Sequence, residues 1–121
     1  MKNRIAIIGC GNIGISLLNG LLKEQNIKAS QITVTRRNTG ELSFLKDSGV
    51  KITSDNVKAV NESEIIIIAV KPYSIFGVLD EIRPVLVPSR HILVSVTAGT
   101  TSREIQNQLN VSVPVFSGIR K

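Results

Sequence analysis

Six residues near the N-terminus, Gly9-Cys10-Gly11-Asn12-Ile13-Gly14, have the spacing G-x-G-x-x-G. That spacing serves anion binding by the main chain. Gly9 permits a tight turn, Gly11 lets the backbone approach a pyrophosphate, and Gly14 allows a helix to pack closely on a strand. The anion then rests on free N–H groups at the helix N-terminus. The flanks agree: an apolar run, Arg4 to Ile8, precedes the loop, and Ile13, Leu17, Leu18, Leu21 and Leu22 recur at helical spacing after it. The same glycines match the spacing of a triphosphate loop, G-x-x-x-x-G-K-[ST], with Ser16 following. Ile15, however, stands where that motif needs a lysine to reach the outer phosphates. The loop therefore points to a dinucleotide rather than to nucleotide hydrolysis.

The kind of dinucleotide is read about 20 residues later, at the end of the second strand, where NAD sites carry an acidic residue for the ribose hydroxyls. Here the stretch is Thr35-Arg36-Arg37-Asn38, and no carboxylate lies between Glu24 and Glu41. Two arginines and two short polar side chains suit the extra 2′-phosphate of NADP. Charge-assisted bonds of roughly 1.5–3 kcal/mol each imply a preference for NADP(H) over NAD(H) of about 10- to 10⁴-fold.

Other chemistry is thin. Cys10 is the sole cysteine, which excludes an internal disulfide and fits a reducing, cytoplasmic setting. Its place beside a helix N-terminus can lower a thiol pKa, but a small apolar filler suffices there. His91, the sole histidine, opens a strand and is expected at the surface or in packing. No nucleophile–base pair, metal cluster or paired carboxylate stands out. The net charge of +6 comes from basic residues spread along the chain, with Arg36-Arg37 and Arg120-Lys121 the adjacent pairs. With aromatics at 3%, base-stacking platforms are disfavoured, and no nucleic-acid partner is expected. The apolar stretch before Cys10, Ile5 to Ile8, is shorter than the roughly 7–15 residues of an export signal. Ile65 to Val70 is far shorter than the roughly 20 residues of a membrane span, so no membrane partner is expected.

The elements that must position the loop alternate along the chain. Strands are expected at Arg4–Ile8, Ile32–Thr35, Val50–Thr53, Ile65–Val70, Ile92–Val96 and Val113–Phe116. Helices are expected after the glycine loop, over Glu41–Asp47 with Gly49 as C-cap, from Ser54 or Asp55 to Val60, over Tyr73–Leu86 with a disturbance near Pro84, and from Thr101 or Ser102 to Leu109. Glu104 is placed for a capping box with Thr101. Ile65-Ile66-Ile67-Ile68 lacks alternation, which asks for cover on both faces. Full burial of these four isoleucines would contribute about 6–12 kcal/mol before entropy. Strict alternation of strand and helix calls for an α/β, Rossmann-type, doubly wound parallel sheet of order 3-2-1-4-5-6, with helices on both faces. All 121 residues fit one such domain.

Taken with Asp55-Asn56, Ala69-Val70-Lys71-Pro72 and Ser95-Val96-Thr97-Ala98-Gly99, the glycine loop makes residues 4–116 resemble the N-terminal NADP-binding domain of pyrroline-5-carboxylate reductase. Such reductases pass a hydride from NAD(P)H to a C=N bond in proline biosynthesis. The resemblance implies that Asn12 and Ile13 line the pyrophosphate loop and that Arg36 and Arg37 meet the 2′-phosphate. It places Asn56 near the adenosine half, and Ala69, Val70, Lys71, Pro72, Ala98 and Gly99 around the ribose and nicotinamide. It also implies a following helical domain that completes the imine-substrate pocket and forms the dimer. Ser117-Gly118-Ile119-Arg120-Lys121 departs from the family's usual continuation, Arg and then Pro-Asn, so the isolated chain is expected to bind cofactor with little turnover, and its oligomeric state is open. Alternatives are an F420-dependent or 3-hydroxyacid dehydrogenase type of NADP reductase, and a non-catalytic NADP(H)-binding module.

Overall fold

Short β-branched runs joined by helical crossovers leave each strand only one kind of neighbour, a parallel one. The computed structural model describes residues 3–117; the pair Arg120-Lys121 and the divergent stretch after Ser117 lie outside them. In chain order the elements are β1 (Ile5–Ile8), α1 (Asn12–Leu22), β2 (Ile32–Thr35), β3 (Lys51–Thr53), α2 (Asn56–Asn61), β4 (Ile65–Ile68), α3 (Ile75–Ile82), β5 (Ile92–Ser95), α4 (Ser102–Leu109) and β6 (Val115–Ser117). The six strands form one sheet of order β3-β2-β1-β4-β5-β6, every pair parallel, as the alternating pattern requires. The order reverses between β1 and β4, whose registers run flush from Ile5↔Ile65 to Ile8↔Ile68. Their carboxyl ends therefore open side by side, where such sheets take ligands.

The two faces are covered unequally. On one, Ala59 and Val60 of α2, Ile75, Leu79 and Ile82 of α3, and Ile105 and Leu109 of α4 enclose Ala6, Ile8, Ile66, Ile68 and Leu93. On the other, Leu18 of α1 with Leu42 and Leu45 covers Ile5, Ile7, Ile32 and Val34, on β1 and β2 only. Beyond β1 the cover on this second face is only partial. Ile65, Ile67 and Val94 are half-buried, Ile92 is 39% exposed and Phe116 is 58% exposed. The expectation of full cover for Ile65–Ile68 thus holds for Ile66 and Ile68 alone, and the 6–12 kcal/mol figure for four buried isoleucines is an upper bound.

Element ends follow local chemistry. Asp55 and Thr101 cap α2 and α4, and Thr101 with Glu104 forms the expected capping box. The helix expected over Glu41–Asp47 is instead a 3₁₀ segment, Thr39–Leu45. The Asn38 side chain accepts the Gly40 N–H at 3.1 Å, which tightens the entry, and the buried pair Leu42 and Leu45 has three-residue spacing. Pro84 has no N–H to continue a helix, so α3 ends at Ile82 and a 3₁₀ turn, Arg83–Val85, follows. Pro114 likewise cannot donate to the ladder, and β6 begins at Val115 rather than Val113. β4 ends at Ile68, not Val70; Ala69 still donates to Ile8 O at 2.9 Å before the chain turns away.

His91 is buried, 1% exposed, at the start of β5. Its Nδ1 accepts the Val87 N–H at 2.9 Å, which leaves Nε2 to donate to Val60 O at 3.1 Å. Burial, with the nearby Arg90 charge, holds its pKa below the ordinary 6.5 despite opposing hydrogen bonds. Its role is packing.

Candidate functional site

The glycine loop is shaped by contacts that only its residue types allow. Gly9 has φ +78°, and a Cβ there would overlap Cγ1 of Val70, with Val70 Cα at 3.1 Å. At Gly14 a Cβ would sit 3.3 Å from Cys10 Sγ and from Ile7 Cγ2, so α1 lies directly on β1. The loop is stitched to the end of β2: Gly9 N–H donates to Thr35 Oγ1 at 3.0 Å, and Cys10 N–H to Thr35 O at 2.7 Å.

At the start of α1 the main chain offers donors and nothing else. No side chain caps the helix, and its first turn carries no acidic residue. Ile15 N–H closes onto Gly11 O at 2.8 Å, whereas among the described residues the N–H groups of Asn12, Ile13 and Gly14 meet no acceptor. Unpaired N–H groups and the positive end of the helix dipole together make a seat for an anion.

This seat opens into a cleft of about 1150 Å³ along the carboxyl ends of the strands. Gly9, Gly11, Asn12 and Ile13 form one wall, and Thr35, Arg36 and Arg37 the β2 side. Ala69, Val70, Lys71 and Pro72 follow β4, Ala98 stands beyond β5, and Asn56 enters from α2. Thr97 ties the two strand ends together, its Oγ1 donating to Val70 O at 3.0 Å. Asn56 Nδ2 donates to Glu81 Oε1 at 2.9 Å, which links α2 to the neighbouring α3.

Thirteen of the sixteen residues named from the sequence line this cleft; Cys10, Gly14 and Gly99 do not. Cys10 is fully buried beneath the loop. Burial pushes its thiol up to about 11, outweighing the Arg36 charge that pulls it down, so the helix end does not activate it. Gly14 is buried in the α1–β1 contact, and Gly99 is an exposed turn residue with φ +82°. The cleft also includes Tyr73, 86% exposed, and Glu81, neither of which the sequence singled out. Their spacing carries no motif; Tyr73 enters from the 3₁₀ turn Pro72–Ser74 and Glu81 from α3.

Glu41, at the end of the carboxylate-free stretch, also reaches the β2 side of the cleft. Glu41 pairs with Arg36, its Oε1 2.6 Å from Nη2, while Arg36 Nη1 donates to Cys10 O at 3.1 Å. Arg37 lines the cleft with no ion pair among the described residues. Those residues also hold no cluster of metal-binding side chains and no helix long and apolar enough to cross a membrane.

Comparison with known proteins bears on the family and the fold. Residues 4–99 match the family model described as NADP oxidoreductase, coenzyme F420-dependent. Pyrroline-5-carboxylate reductase 2 of Dictyostelium discoideum is 40% identical over 116 residues, covering 93% of this chain and 38% of its own length. A pyrroline-5-carboxylate reductase structure from Coxiella burnetii superposes with TM-score 0.89 at 27% identity, over 97% of this chain and 43% of that one. The Plasmodium falciparum enzyme, solved with NADP bound, shares the fold with TM-score 0.80 at 21% identity, over 94% of this chain and 40% of its own. The chain spans between a fifth and about two-fifths of the length of the curated relatives it matches. It belongs to the NADP oxidoreductase, coenzyme F420-dependent family, and within it resembles the N-terminal domain of pyrroline-5-carboxylate reductases.

Proposed function

We propose that the chain is the NADP(H)-binding domain of a reductase that acts on a C=N bond, of the pyrroline-5-carboxylate reductase type. The observation that carries this reading is the uncapped start of α1, where the N–H groups of Asn12 and Ile13 meet no acceptor among the described residues, in a cleft edged by Arg36, Arg37 and Lys71. An elongated anionic ligand fits that donor set. Gly11 adds room: a Cβ there would meet only Gly9 O, at 4.0 Å. The N–H groups of Asn12 and Ile13 would hold the diphosphate, Arg36 and Arg37 a 2′-phosphate, and Asn56 the adenosine side. When bound, the nicotinamide supplies a hydride. Ala69, Val70 and Ala98 border the far end with small side chains, which leaves a flat ring access to the strand ends and keeps water from its inner face.

Imine reduction asks mainly for placement of the donor carbon against the C=N carbon plus a proton source. A following helical domain, as in the reductases that the sequence resembles, would complete the imine pocket and support a dimer. The half-open sheet face, with Ile92 and Phe116 exposed, supports such an association. The lone buried thiol supports a reducing, cytoplasmic location.

Titration calorimetry with NADPH and NADH, followed by a cofactor-oxidation assay on pyrroline-5-carboxylate, tests the reading. Tighter binding of NADPH, with little turnover by the 121 residues alone and turnover on addition of a relative's helical domain, is the expected result. Absence of binding by either dinucleotide refutes it.

A further inference from the structure

The basic turn after β2 is not free to act as two equal cations. Arg36 is held at both ends of its guanidinium, by Cys10 O at 3.1 Å and by the Glu41 carboxylate at 2.6 Å. Glu41 reaches it from outside the cleft, since Arg36 lines the cleft and Glu41 does not. The 3₁₀ start of Thr39–Leu45, tightened by Asn38, folds the carboxylate back onto an arginine five positions earlier. Arg37 stands at the same cleft edge without a carboxylate among the described residues.

A carboxylate and a phosphomonoester use the same donors of a guanidinium, and each is an anion that accepts from its planar fork. We propose that Glu41 is a specificity-determining residue: an internal anion that occupies Arg36, competes with the ligand's 2′-phosphate for it, and so leaves Arg37 as the main 2′-phosphate contact. This inference rests on the dinucleotide reading of the cleft. Glu41 thereby lowers the discrimination between NADPH and NADH below what Arg36 and Arg37 would give together. With side chains 33% and 53% exposed, the Arg36–Glu41 pair is solvated, and the competition is correspondingly moderate.

The test is titration calorimetry on the whole chain with NADPH, NADH, adenosine 2′,5′-bisphosphate and AMP. Glu41→Gln is expected to tighten NADPH and the bisphosphate by roughly 2- to 5-fold while NADH and AMP stay within about 2-fold, the scale of an exposed ion pair. The gain should shrink in high salt, because the ion pair is screened. Glu41→Lys should increase it further, and circular dichroism should show both variants folded. In the original chain Arg37→Ala should cost NADPH more than Arg36→Ala does, and the Arg36→Ala cost should grow in the Glu41→Gln background. Weaker NADPH binding in Glu41→Gln would show that Glu41 only positions Arg36 and would overturn the inference. So would an equal change for both cofactors, no change, or a loss confined to NADH. Failure of the unaltered chain to bind any of the four ligands overturns the reading of the cleft itself, and this inference with it.

Discussion

The two ends of the cleft that we propose to face phosphate groups are built on opposite principles. At the glycine loop, recognition belongs to the backbone: Gly9 takes φ +78° under Val70, Gly14 rests on Ile7 and Cys10, and the N–H groups of Asn12 and Ile13 meet no acceptor among the described residues. No side chain there carries charge, and at Gly9 and Gly14 packing leaves little room for one. At the β2 turn, recognition belongs to side chains. Arg36 and Arg37 are long and partly exposed, and one already holds the Glu41 carboxylate. The first end should therefore answer mutation with loss of fold and of all dinucleotide binding, the second with a graded change confined to ligands that carry a 2′-phosphate.

The largest effect is expected at Gly9. Gly9→Ala forces a side chain into Val70 at a positive φ, costing about 2–4 kcal/mol of stability, with both cofactors lost together. Urea unfolding and calorimetry read this directly, and selective loss of NADPH alone would erase the distinction between the two ends. Next comes Thr35, which touches both: its hydroxyl accepts the Gly9 N–H at 3.0 Å while its strand leads into Arg36. Thr35→Val leaves that N–H without a partner, at a cost of about 1–3 kcal/mol, and should weaken NADPH and NADH alike. Arg37→Ala should weaken NADPH by about 10-fold, one charge-assisted bond after solvent screening, and leave NADH and the unfolding midpoint unchanged.

The smallest effect is a control remote from both ends. Burial and the Arg90 charge depress the pKa of His91, so the folded chain favours the neutral ring and the unfolded chain binds the proton more readily. The stability from His91 is complete above its ordinary pKa of 6.5 and is lost as pH falls below that value toward the lower folded one. The urea midpoint should drop modestly between pH 7 and pH 5.5, and His91→Gln should flatten that drop.

The fold was legible because its signals are local and repeated. Ile5–Ile8, Ile32–Thr35 and the capping box at Thr101 each state a strand or helix within a few residues, and alternation then leaves one topology. What escaped was contact between elements. Ile65 and Ile67 read as core, but α1 stands over β1 and β2 and leaves them half-covered. Cys10 read as a thiol that a helix end could activate, yet burial governs it. Glu41 lay past the stretch in which a ribose-binding carboxylate is sought, and only the 3₁₀ turn brings it back to Arg36. Motif spacing located the cleft; the charge available within it depends on tertiary placement.

Parallel calorimetric titrations of NADPH and NADH into the chain and into Gly9→Ala bear most directly on the cleft as a dinucleotide site. The unaltered chain should bind both, NADPH about 10-fold or more tightly, and Gly9→Ala should bind neither. No heat of binding with either dinucleotide, from a chain shown to be folded, would contradict the assignment.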